Sequence, residues 1–187
     1  NNLPDSIPLH FNFNGEPDRY GSKLEFLFFL FLINILPVAI LEIIPLIDPK
    51  KKNLNNTKFL SFKVGLSFIF FLISLSLIDF AYFKILPPHF AIPLILAILM
   101  VILGNYFQTI PANYFIGIRT PWTLENEEVW NKTHRLSGRL FFVSGFLSLI
   151  LIFIIPPHLI VPVFIGVLLA NSLLSVIYSF VAYKKLT

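Results

Sequence analysis

The chain has four histidines and no cysteine, so any metal or nucleophile chemistry must come from nitrogen and oxygen groups. His89 and His158 stand in a repeated PPHxxxP pattern: Pro87-Pro88-His89 followed by Pro93, and Pro156-Pro157-His158 followed by Pro162. His10 follows Ile7-Pro8-Leu9 near the start. Once the apolar stretches are assigned, all three histidines fall on one side of a membrane, and three converging imidazoles are a zinc donor set. Turn and interface histidines are the plainer reading of the same residues. We therefore assign no metal, with His10, His89 and His158 as the candidates to check. His134 lacks HExxH spacing, and the chain has no G-x-S-x-G elbow and no phosphate-cradling glycine loop. No motif calls for a cofactor, and the least favoured reading is a metal-dependent membrane enzyme, for which only the outer histidines and acids speak.

A second set of polar residues lies inside apolar runs, where ionisable groups are costly and need a partner or a task. Glu42 sits about 7 Å from the end of its run at 1.5 Å per residue, and Lys63 sits at similar depth on the next, antiparallel run. They are placed to pair, or Lys63 snorkels to the surface. Asn34 and Asn171 fall near the midplane, where side-chain amides hydrogen-bond between helices. Asp79 lies near the end of the second run, and Pro37 and Pro45 are expected to kink the first. Packing is the default role for Asn34, Glu42, Lys63 and Asn171. The alternative is a water-filled transporter or channel path past them.

These residues are held by a very apolar chain. Of 187 residues, 56% are apolar and 13% charged, against about 25% charged in soluble domains. Mean hydropathy is +0.80. Both a soluble globule and a disordered chain are excluded. The expected fold is all-α: a polytopic transmembrane helical bundle, residues 1–187 as one membrane domain. Spans are placed at 24–47, 59–83, 90–108, 138–155 and 159–182. Residues 24–108 hold the first three, 109–137 a connecting loop, and 138–187 the last two. A helix ahead of Asn1 would make six. Most of the fourteen Lys and Arg residues flank the spans on one side, including Lys50, Lys51, Lys52, Lys58, Arg119, Lys132, Arg135, Lys184 and Lys185. The positive-inside rule puts that side in the cytoplasm, with residues 1–23 outside and the C-terminus inside. The expected location is the bacterial cell membrane. The net charge of +4 then reports topology and implies no direct nucleic acid binding.

Two extramembrane segments carry the most distinctive sequence. Residues 1–23 contain Pro4, Pro8 and Pro17, Gly15 and Gly21, and the turn formers Asn12, Asn14 and Asp18, with Ser22 placed to cap the next helix. An ordered loop on the membrane surface is expected, acting as a lid or as a ligand contact through His10, Asn12, Gly15, Pro17, Asp18, Gly21 and Lys23. In residues 109–137, Thr120-Pro121 and Thr123 offer helix starts, and Glu128 is spaced i,i+4 from Lys132. This predicts an interfacial helix running into the fourth span. Its tryptophans would float at headgroup level, with Arg119, Arg135 and Arg139 on lipid phosphate. The same loop offers a partner-docking surface through Asn113, Arg119, Thr120, Trp122, Glu127, Trp130, His134 and Arg135. It also admits a buried ion-pair network joining Arg119, His134 and Arg135 to nearby acids.

Leu3-Pro4-Asp5 through Ile7-Pro8, His10-Phe11-Asn12, Gly15, Pro17-Asp18 and Gly21-Ser22-Lys23 form one motif. Gly104-Asn105-Tyr106, the run Asn113 to Leu124, Asn126-Glu127, Val129-Trp130, Lys132 to Arg135 and Gly138 form a second. In order and separation the two motifs resemble the SdpI family of small bacterial membrane proteins. Membership implies immunity against a secreted, membrane-active peptide toxin. It also implies signalling, by docking a cytoplasmic transcriptional repressor. The partners so implied are the lipid bilayer, an extracellular peptide toxin and that repressor.

Overall fold

The computed structural model describes residues 6–12, 16–50, 54 and 57–186. Two strands, β1 (Ile7–Phe11) and β2 (Pro17–Gly21), form an antiparallel hairpin. Six helices follow: α1 (Lys23–Ile47), α2 (Thr57–Ile78), α3 (Pro88–Phe107), α4 (Pro121–Glu125), α5 (Glu127–Leu151) and α6 (Pro157–Leu186). The hairpin and the α2–α3 and α5–α6 turns share one end of the bundle, the hairpin end. The α1–α2 connection, residues 108–126 and the last turn of α6 share the other, the loop end.

Local chemistry sets the boundaries. Ser22 caps α1: its hydroxyl accepts the Glu25 amide at 3.3 Å, while the Glu25 carboxylate accepts the Ser22 amide at 2.7 Å. α2 ends in one wide π-type turn, Asp79–Phe83, after which Lys84 takes a left-handed φ of 54°. Asp79 is the device that closes this end. Its backbone carbonyl accepts the Lys84 amide, and its carboxylate accepts the Leu86 amide at 2.9 Å. α3 and α6 begin at Pro88 and Pro157, two residues before the expected spans. Proline needs no amide partner in a first turn. Pro93 and Pro162 consequently lie past the first turn, inside their helices.

Among the described residues, four helices are long and apolar enough to cross a membrane: Lys23–Ile47, Thr57–Phe83, His89–Phe107 and Pro157–Leu186. α5 covers most of the expected span 138–155 but ends at Leu151, and as a whole it is less apolar because its first half, Glu127 to Arg139, carries charged residues. It is wedged against α3 and α6, and buries Ser137, Gly138, Gly145 and Ser148 on them. A Cβ on Gly104 of α3 would lie 2.3 Å from the Phe142 backbone nitrogen, and one on Gly138 would lie 2.7 Å from the Gly104 carbonyl oxygen. Backbones this close require small residues, which carry little apolarity. α1 is the opposite case, packing mainly on α2 and exposing Leu24, Phe28, Phe31 and Ile35. Its surface is read by hydropathy alone.

The hairpin is anchored by Ile7, which is buried with Phe26 of α1 and Ala81 of the π turn. At the loop end a larger cluster gathers Leu41, Ile44, Leu54, Phe59, Phe62, Tyr106, Phe107, Ile110, Trp130 and Phe141. That cluster carries the connecting loop.

Candidate functional sites at the two ends of the bundle

At the loop end, residues 108–126 fold as an irregular arch held by side chains. Asn113 is fully buried and uses both ends of its amide. Its Oδ1 accepts the Phe115 and Ile116 amides at 2.9 and 2.7 Å, and its Nδ2 donates to the Pro111 and Ile116 carbonyls. Gly117 follows at φ +111°, a region that disfavours side chains. A Cβ there would lie 2.3 Å from His134 Nε2. The freed space lets the Ile118 amide donate to that nitrogen at 2.9 Å. With Nε2 accepting, Nδ1 carries the proton and donates to the Trp130 carbonyl at 2.9 Å. His134 stacks on Trp130 with ring centroids 4.0 Å apart. Burial pushes the imidazole down to about 4, and the bond to the Trp130 carbonyl opposes that shift. His134 is thus a neutral strut.

The rest of the arch is pinned likewise. Thr120 caps α4, and Thr123 Oγ1 donates to the Ile118 and Thr120 carbonyls. Trp122 Nε1 donates to Ser179 Oγ of α6 at 2.5 Å, and Trp130 Nε1 donates to the Ile110 carbonyl at 3.0 Å. Arg119 donates to the Tyr114 carbonyl at 2.9 Å. Asn126 breaks the chain direction and caps α5 by accepting the Glu128 and Val129 amides. The interfacial helix expected over this region is therefore the short α4 followed by the first turns of α5. Trp130 lies in the protein core, not at a headgroup layer. Among the described residues, the ion pairs are His10–Asp18, Glu42–Lys63 and Glu128–Lys132. The expected ion-pair network does not form among the described residues: buried His134 stays neutral, Arg119 donates to a carbonyl, and Arg135 is exposed.

Of the eight docking candidates, Asn113, Thr120, Trp130 and His134 are buried and Trp122 is half-buried, whereas Arg119, Glu127 and Arg135 are exposed. Sequence reasoning missed Asp48. It is 1% exposed at the end of α1, where its carboxylate accepts the Lys50 amide at 2.7 Å and the Tyr114 amide at 3.0 Å. Lys50 Nζ donates to the Leu124 carbonyl at 3.3 Å. The α1–α2 connection thus clasps the arch. The only local signal was Asp48-Pro49, a helix stop.

At the hairpin end, His10 and Asp18 face each other across the strands, with Nδ1 to Oδ1 2.6 Å and both side chains largely exposed. Asn12 accepts the Glu16 amide and donates to the Glu16 carboxylate, closing the tip. Pro17 is half-buried in β2, and Gly21 ends it. Lys23 opens α1. Gly15 lies outside the described residues. Among those described, no three His, Asp or Glu side chains gather around one point. His89 and His158 begin separate helices while His10 is taken by Asp18, so the three-imidazole site does not form.

Within the bundle, Lys63 Nζ lies 2.6 Å from Glu42 Oε1. Asn34 Nδ2 donates to Ser74 Oγ of α2 at 2.6 Å, and Asn171 Nδ2 to Ser144 Oγ of α5 at 2.6 Å. Two of these pairs join α1 to α2 and the third joins α5 to α6, so they tie separate helix interfaces rather than line a shared path.

The fold and its two ends define a multi-pass helical membrane protein with a strand hairpin at one end and a hydrogen-bonded arch at the other. Residues 109–181 match the SdpI/YfhL protein family, and residues 1–35 match a domain of unknown function (DUF1648). The similarity to the SdpI family is thus carried by residues 109–181, less than half of the chain. The chain is 38% identical over 89 residues to "Immunity protein SdpI" of Bacillus subtilis, covering 48% of this chain and 42% of that protein. It is 46% identical over 41 residues to an uncharacterized protein of Archaeoglobus fulgidus, covering 22% of each. The matches span less than half the length of these relatives. No solved structure matches the chain.

Proposed function

We propose that this protein is a membrane immunity protein that protects its cell against a secreted, membrane-active peptide. The observation that carries the reading is the 38% identity to an immunity protein. In this proposal the hairpin end faces outward and presents His10, Asn12, Pro17, Asp18 and Lys23 to the peptide. The loop end faces the cytoplasm, where Arg119, Glu127 and Arg135 give a rigid polar surface for a regulator such as a repressor. The location is the bacterial cell membrane, and the role is binding rather than catalysis. The exposed His10–Asp18 pair supports this division, because both side chains remain accessible while Ile7 locks the hairpin to the bundle.

The test is survival. Bacteria sensitive to secreted membrane-active peptides are challenged with a panel of them, with and without this protein. Protection is expected from the wild type, reduced by Asp18→Ala at unchanged membrane abundance. Arg119→Ala should retain protection and lose regulator recruitment. No protection against any peptide at matched abundance counts against immunity.

A further inference from the structure

Near the loop end a cleft of about 390 Å³ opens between α2 and α3. Its polar lining is Lys58, Ser61, Asn105, Tyr106 and Thr109, with no carboxylate among the described residues that line it. Phe62, Gly65 and Ile102 continue the cleft toward the bundle middle, Gly65 lying about 10 Å deeper than Lys58 at 1.5 Å per residue. The Tyr106 side chain is buried, its ring stacked on Phe62 with centroids 4.1 Å apart. Its hydroxyl has no hydrogen-bond partner among the described residues. Buried polar groups are normally partnered, so an orphaned phenol lining a cleft marks a place for an acceptor.

We propose that this cleft binds the phosphate of a phospholipid from the leaflet at the loop end. Lys58 supplies the charge, and Tyr106 and Asn105 donate to phosphate oxygens. The apolar stretch along Phe62, Gly65 and Ile102 takes the start of an acyl chain. A cation and neutral donors without an acid fit an anion. The change from polar at the helix ends to apolar within fits an amphipath rather than a free ion. Asn105 and Tyr106 stand in the second sequence motif, yet the hydrogen bonds that hold the arch make no use of the Tyr106 hydroxyl.

The full chain, purified in mild detergent and loaded from phosphatidylglycerol vesicles, is examined by native mass spectrometry for retained lipid. One retained phosphatidylglycerol per chain is expected, with dioleoylglycerol not retained. Lys58→Gln should weaken retention about tenfold, the loss of a charge-assisted hydrogen bond, and Tyr106→Phe about threefold, the loss of a neutral one. Tyr106→Phe keeps the ring stack, so the fold is preserved. Lys184→Gln, a cation elsewhere at the loop end, should leave retention unchanged. Equal retention in all variants, equal loss in Lys58→Gln and Lys184→Gln, or retention of dioleoylglycerol overturns the site. Displacement of lipid by millimolar inorganic phosphate overturns the lipid assignment in favour of the free anion.

Discussion

The Ile118 amide donates to His134 Nε2 at 2.9 Å, joining residues sixteen apart in sequence. This bond fixes the tautomer of His134 and the path of the arch together. It turns the middle of the second motif into a scaffold. Beside it, the exposed Arg119 donates to a neutral carbonyl, that of Tyr114, and not to a countercharge.

His134→Ala should destabilise the protein by about 2–4 kcal/mol. The loss combines a cavity beside Trp130 with a buried Ile118 amide left unpaired. Thermal unfolding in detergent reads the loss, and hydrogen exchange should show the Ile118 amide losing protection. The neighbouring exposed Arg135→Ala should change stability by less than about 0.5 kcal/mol.

Acid should open the arch. The folded-state pKa of His134 is about 4, below its ordinary 6.5. Between these values the unfolded chain binds the proton more readily than the folded one. The contribution is therefore present above pH 6.5 and lost as pH falls to 4, amounting to about 3 kcal/mol. Protection of the Ile118 amide should fall across that window in the wild type.

Gly117→Ala meets two obstacles, the positive φ of 111° and His134 Nε2 at 2.3 Å from the new Cβ. A cost above about 1 kcal/mol is expected in thermal unfolding. Pairing it with His134→Ala should be less than additive, because the second change removes the clash.

Asp48→Ala should cost about 1 kcal/mol by removing the buried acceptor of the Lys50 and Tyr114 amides. Asp48→Asn keeps one acceptor oxygen and should cost less. Exchange at Tyr114 separates the two variants.

Leucine at Gly104 should prevent assembly of α3 on α5, since its Cβ would lie 2.3 Å from the Phe142 backbone nitrogen. Leucine at Gly166, where a Cβ meets nothing within 4 Å, should be tolerated. Monodispersity after detergent extraction distinguishes them.

The sequence by itself determined the helices that meet lipid and their order. A hydrocarbon solvent rewards apolar length directly, so α1, α2, α3 and α6 are legible without knowing any neighbour. It also placed Ser22 as a cap and put Glu42 and Lys63 at one depth, because both depend on spacing within or between adjacent helices. Tertiary structure alone decided what depends on which distant segments meet. α5 reads as a weak span because its first half, Glu127 to Arg139, is charged, and only the structure shows that Gly138 and Gly145 seat it on α3. Trp130 and His134 look like surface groups in sequence, and distant segments bury them, Ile110 meeting Trp130 and Gly117 and Ile118 meeting His134. Asp48 reads as a helix stop until Tyr114 comes to it across 66 residues. Hydropathy reports a residue's preference for its solvent. It does not report its partner, and at both ends of this bundle the partner sets the role.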